Sequence, residues 1–149
     1  MHLHLRAFLA GLGILAMSRP GPLAAQQIQD TAAVRLALSA TTTWLAIADA
    51  GKAGESWEAG APAFQAAVTK AAWVKALTQA RGPYEPFGTR TILSVKYLES
   101  VPDSPPGPYI VVQYLTRVSG NRDVIETVTS MRTPDDTWKV AGYIVRVNR

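Results

Sequence analysis

The chain has 149 residues, 15 Lys plus Arg against 11 Asp plus Glu, and a formal charge of +4. It contains no cysteine, and its two histidines, His2 and His4, both sit at the extreme N-terminus. Beyond them there is neither imidazole nor thiol, which excludes Ser-His-Asp and Cys-His nucleophilic systems, His- or Cys-based zinc sites, and haem ligation through those residues. Chemistry, if any, falls to Asp, Glu, Lys, Arg, Tyr, Ser or Thr, and no metal or cofactor is expected.

Met1 to about Ala25 has the layout of a secretory signal. Arg6 supplies the positive start, and the apolar run Ala7–Met17 is well short of the roughly 20 residues that span a bilayer. Arg19-Pro20-Gly21-Pro22 breaks the run, and Leu23-Ala24-Ala25 places a cut before Gln26, give or take a residue or two. The expected product is periplasmic or secreted, with no stable membrane span after cleavage. A lipoprotein anchor is excluded, because it needs a cysteine at the new N-terminus. Losing Arg6 and Arg19 lowers the formal charge to +2. The remaining Lys and Arg are scattered instead of forming a basic stripe, so no nucleic-acid partner is expected. Residues 26–149 suit one domain with one core.

From Gln29 to about Ala50, Val34, Leu38, Leu45 and Ala48 recur near helical spacing, and Trp44 and Ile47 widen the stripe. Asp30 or Thr31 can cap this helix, and Gly51 suits its stop. A second helical stretch is expected from about Ser56 to Ala67, in two pieces if Pro62 starts a new one. A third runs from about Lys70 to Ala80, capped by Thr69 and closed by Gly82-Pro83.

After the loop Gly82 to Gly88 the pattern turns to β. Strands are expected at about Arg90–Ser100, Tyr109–Ser119, Asp123–Thr133 and Trp138–Val147, separated by turn chemistry at residues 102–107, Gly120-Asn121 and Pro134-Asp135-Asp136. Short connections imply an antiparallel meander. The fold class is therefore α+β, with N-terminal helices packed on a four-stranded antiparallel sheet. Pairing Ser119 with Arg122 and Pro134 with Thr137 puts Ile110, Val112, Tyr114, Ile125, Met131, Trp138, Val140 and Ile144 on the helix-facing side. Val111, Gln113, Leu115, Arg117, Val124, Glu126, Val128, Tyr143 and Val145 then face outward, a mixed surface suited to an oligomer contact or a groove.

Three residues stand out as weak catalytic candidates: Glu126, Asp49 and Tyr143. Glu126 is a carboxylate in mid-strand, able to serve as a general base if desolvated. The simpler reading pairs it with Arg117 or Arg146 on an exposed face. Asp49 ends a helix, where its charge opposes the dipole, and a structural link to Arg81 or Arg90 accounts for it. Trp44, Trp57, Phe64 and Trp73 read as core more readily than as the lining of a ligand cavity. Tyr84, Phe87 and Tyr109 fall in or beside loops and are the candidates for ligand or partner contact.

Several strings, taken together, carry a family resemblance: Trp44-Leu-Ala-Ile-Ala-Asp49-Ala-Gly51, Ser56-Trp57, Phe64, Trp73, Arg81 and Gly88-Thr-Arg90. They continue through Gly107-Pro-Tyr109, Glu126-Thr127-Val128 and Trp138-Lys-Val-Ala-Gly142-Tyr143. The chain resembles the DUF4019 family of bacterial proteins over nearly all of its expected mature length. The resemblance implies an exported bacterial protein and a helix-plus-curved-sheet shape similar to NTF2-like or cystatin-like folds. It supplies no catalytic residue and does not settle function.

The reading that follows is a non-catalytic binding or interaction module, monomeric or homodimeric, for an unknown protein or small apolar ligand. One rival is a small enzyme with an NTF2-like pocket, in which Glu126 or Asp49 moves a proton with help from Tyr143 or Tyr114. Another is an envelope structural protein that assembles through the outer sheet face.

Overall fold

The structure, a computed structural model, describes the backbone of residues 22–148 and the side chains of residues 31–148. The expected leader lies outside the described residues except for Pro22–Ala25, whose backbone opens the first helix. Helices α1 (Pro22–Asp49), α2 (Ala53–Glu58), α3 (Pro62–Ala67) and α4 (Lys70–Arg81) precede strands β1 (Phe87–Leu98), β2 (Tyr109–Val118), β3 (Arg122–Arg132) and β4 (Trp138–Val147). The strands form one antiparallel sheet in the order β1-β2-β3-β4.

Helix α1 lies on the sheet through Ala37, Thr41, Trp44, Leu45 and Ala48, all buried at helical spacing. Its segment Thr31–Asp49 is 19 residues with a mean hydropathy of 1.2, long and apolar enough to cross a membrane by length and composition. A signal sequence near the N-terminus and a core helix share that property, and here the buried side chains are the ones packed on the sheet. The helix stops as Gly51 implies: Gly51 takes φ +73°, its N–H bonds Ala48 O, and the Lys52 N–H bonds Ile47 O. These two bonds are the Schellman pattern, which satisfies the last carbonyls and needs a left-handed residue. Thr69 caps α4, its Oγ1 accepting from the Ala72 N–H at 3.3 Å.

The aromatic residues are core. Trp73 lies 6.2 Å from Trp44 and meets Phe64 edge-on at 4.7 Å, while Trp44 is 5.3 Å from Tyr143, all between ring centroids.

The register corrects the expected sheet faces. Val118, not Ser119, opposes Arg122, because the β2–β3 connector is three residues long and places Gly120 at φ 69° and Asn121 at φ 54°. Moving the pairing by one residue turns every side chain of β3 to the other face. Val124, Glu126 and Val128 therefore point at the helices and are buried. Ile125 is half-buried on the outer face.

Strand β4 carries a second correction. Its pairing shifts between Ser130↔Val140 and Thr129↔Gly142, which leaves Ala141 as an extra residue. Trp138 and Val140 face inward before the bulge, and Tyr143 does so after it, while Ile144 turns out to solvent at 49 % exposure. Met131 is buried, but in a separate cluster with Tyr109 and Ala61. There the Ala61 N–H donates to Val140 O at the open edge of β4, at 2.8 Å. Strand β1 forms the other edge, with Ile92 and Leu93 about half exposed.

Candidate functional site

The fold brings all three catalytic candidates together. The corrected register sets Glu126 opposite Tyr114 on β2, facing the C-terminal ends of α1 and α4, and it is fully buried. Asp49 is the last residue of α1, Arg81 the last of α4, and Arg90 the fourth residue of β1, opposite Thr116 on β2. Six side chains from six elements thus converge under the helix layer: Asp49, Arg81, Arg90, Thr116, Glu126 and Tyr143.

Both oxygens of Glu126 are saturated. Oε1 accepts from Tyr143 Oη at 2.7 Å, Arg90 Nη2 at 3.2 Å and Arg81 Nη1 at 3.3 Å. Oε2 accepts from Thr116 Oγ1 at 2.6 Å and Arg90 Nε at 2.7 Å. Five donors meet a group with about four lone-pair sites. Asp49 completes the ring: its Oδ1 accepts from Arg81 Nη2 at 2.5 Å and Arg90 Nη2 at 2.9 Å, and its Oδ2 from Arg90 Nη1 at 2.7 Å. Two cations therefore meet two carboxylates in a charge-balanced core.

The electrostatics follow from this geometry. Burial acts to raise the pKa of Asp49, but the hydrogen bond and charge of Arg90, and then of Arg81, outweigh it and hold the carboxyl below its ordinary 3.8. Burial acts to lower that of Arg90, and the bonds and charges of Asp49 and Glu126 reverse it, raising the guanidinium above its ordinary value. Burial, then the negative charge of Glu126, pushes the Tyr143 phenol up. Tyr143 stays protonated and donates to Glu126 while accepting from Arg81 Nη1 at 3.1 Å.

Arg81 is only 2 % exposed, and Phe87 lies flat beneath it with the guanidinium carbon 3.7 Å from the ring centre. Its Nε is sealed in without a hydrogen-bond partner, the nearest carboxylate oxygen being Glu85 Oε1 at 3.8 Å. As the last residue of α4, Arg81 also sits where a helix favours positive charge, and the two arginines neutralise Asp49 at the end of α1, where a helix disfavours a negative one.

The sequence paired Asp49 with Arg81 or Arg90, and the structure shows both. The expected pairing of Glu126 with Arg117 or Arg146 is corrected: Arg117 pairs with Asp123 at 2.9 Å, and Glu126 lies on the opposite face. The role of Thr116 was not foreseen. Of the three aromatic contact candidates, Tyr109 is 3 % exposed, with its hydroxyl on Pro105 O at 2.7 Å, so it is a core residue and not a surface one. Phe87 is occupied under Arg81, and Tyr84 is half-buried with Arg122 over its ring.

Fold and site together define a small α+β domain braced by buried ion pairs. The model of the family described as "Protein of unknown function (DUF4019)" matches residues 40–143, and the chain belongs to that family. No curated protein and no solved structure matches it.

Breaking a buried pair leaves an uncompensated charge and costs about 3–5 kcal/mol. Glu126→Gln should cost that much, read as a lower urea midpoint at unchanged m-value; a loss below about 1 kcal/mol would show that the carboxylate is not needed to balance the arginines. The depressed pKa of Asp49 makes its contribution fully present above 3.8 and lost as pH falls through its lower folded value. The stability gap between wild type and Asp49→Asn should therefore narrow steadily below about pH 4, and a gap that is the same at pH 6 and pH 3 would contradict the ion pairing.

Proposed function

We propose that the chain is an exported, non-catalytic binding module for a small apolar ligand. The saturation of Glu126 carries this reading: a general base needs a free lone pair within reach of substrate, and all of this carboxylate's acceptor capacity is taken up by Arg81, Arg90, Thr116 and Tyr143. Asp49 borders an open groove beside Tyr114, yet both of its oxygens are held by arginines. Tyr143 as proton donor is likewise committed, to Glu126.

The same arrangement supports a binding role. The brace fixes α1 rigidly on the sheet, and open grooves run along both of its flanks, one of about 390 Å³ and one of about 380 Å³, within the usual size of small-molecule sites. Rigid walls reduce the ordering cost of binding.

The protein lacking residues 1–25 should bind the apolar probe N-phenyl-1-naphthylamine saturably, with about one equivalent per chain and a raised melting temperature. A linear, non-saturating fluorescence response would sink the reading. For export, the full chain expressed in a Gram-negative host should yield an extracytoplasmic species whose intact mass begins near Gln26; full-length protein confined to the cytosol would count against it.

A further inference from the structure

We propose that the ligand site is the groove between α1 and the β3–β4 hairpin, and that its ligand is an uncharged apolar molecule with one hydrogen-bond acceptor, held by the indole N–H of Trp138. This rests on the binding reading above and deepens it.

The four tryptophans of the chain are not equivalent. Trp44 donates to Ser56 O at 2.8 Å, Trp57 to Val68 O at 2.8 Å, and Trp73 to Ser56 Oγ at 3.0 Å. Trp138 is 8 % exposed, so its ring is as much a part of the core as theirs. Its N–H, however, has no hydrogen-bond partner among the described residues. Nor is it sealed in, since the one wholly buried side-chain polar atom without a partner among those residues is Arg81 Nε. A buried indole usually finds an acceptor for its N–H.

Trp138 lines the 390 Å³ groove and a second one of about 150 Å³ that adjoins it, and Leu36 and Asp136 are shared by both. The walls are largely apolar: Leu36, 52 % exposed, is joined there by Ile47, Trp44 and Val140. At the rim Arg132 pairs with Asp136, and Lys139 and Asp135 bring one further charge of each sign, so the formal charges cancel and none is left to recruit an ion. An apolar wall with one available donor and a neutral rim fits a neutral ligand such as an aromatic or aliphatic ketone or ester. The groove on the other flank of α1 is a poorer host for it, because a ligand there would strip water from Asp49 and Arg90.

Two probes and three variants test this. Prodan, an apolar naphthyl ketone, carries an acceptor, whereas N-phenyl-1-naphthylamine has no comparable one. Thr43→Lys places a long side chain in the proposed groove, and Thr42→Lys does so in the opposite one; both positions are exposed on α1, where substitutions cost little stability, and an unchanged melting temperature checks that each variant is folded. Thr43→Lys should abolish binding of both probes and Thr42→Lys should leave both intact. Trp138→Phe, which keeps a ring but loses the N–H, should weaken prodan about five- to tenfold and the amine probe less than about twofold. If Thr42→Lys blocks binding and Thr43→Lys does not, the site is the other groove: this inference falls while the binding reading stands. Equal weakening of the two probes by Trp138→Phe overturns the role of the N–H. Failure of both probes to bind the wild-type protein sinks the binding reading itself.

Discussion

A carboxylate with no exposed surface must be neutralised where it lies, and Glu126 imposes that condition on the rest of the domain. It sits in the middle of β3, so the compensating charge has to come from elements packed over the sheet. Arg81 arrives from the end of α4 and Arg90 from the start of β1. Those two cations call in turn for a second anion, and Asp49 at the end of α1 supplies it. The path of the chain from α1 to β1 is in this sense an arrangement for bringing two positive and two negative groups to one point.

Such a cluster is not a strong source of net stability, since well-packed apolar residues of similar volume often do as well. What it contributes is position. A purely apolar interface between helices and sheet tolerates sliding, whereas bidentate contacts between Arg90 and Asp49 and the cation stacked on Phe87 fix the helix ends to within a hydrogen-bond length. The cluster also leaves the flank of α1 that faces the β3–β4 hairpin free for other use. Asp49 and Arg90 reach the groove on one flank of α1, whereas the other flank presents a mainly apolar wall, where Trp138 keeps a donor that no described residue satisfies.

Much of this was legible in the sequence. The elements announced themselves through helical spacing, the Thr69 cap, the Gly51 stop and the turn chemistry between strands, and Asp49 pointed to its arginine partners because a lone acid at a helix end needs a cation. The environment of Glu126 was hidden by one residue of connector length. Gly120-Asn121 looks like a two-residue turn, but the left-handed pair takes Ser119 into the connector as well, and the whole of β3 changes face. The bulge at Ala141 had no signal beyond the neighbouring Gly142, and it decides that Tyr143 meets Glu126 while Ile144 meets solvent. Tyr109 misled for a related reason: it follows a proline-rich loop, and that loop folds back so that Pro105 O accepts its hydroxyl.

The most direct test of the brace is a double-mutant cycle between Glu126 and Arg81, with Glu126→Gln, Arg81→Met and the pair measured by urea unfolding. If the two groups compensate one another, the double variant should be at least as stable as the worse single one, with a coupling energy above about 1 kcal/mol. Strictly additive losses would contradict the account, because they would mean that each side chain acts without regard to the charge of the other.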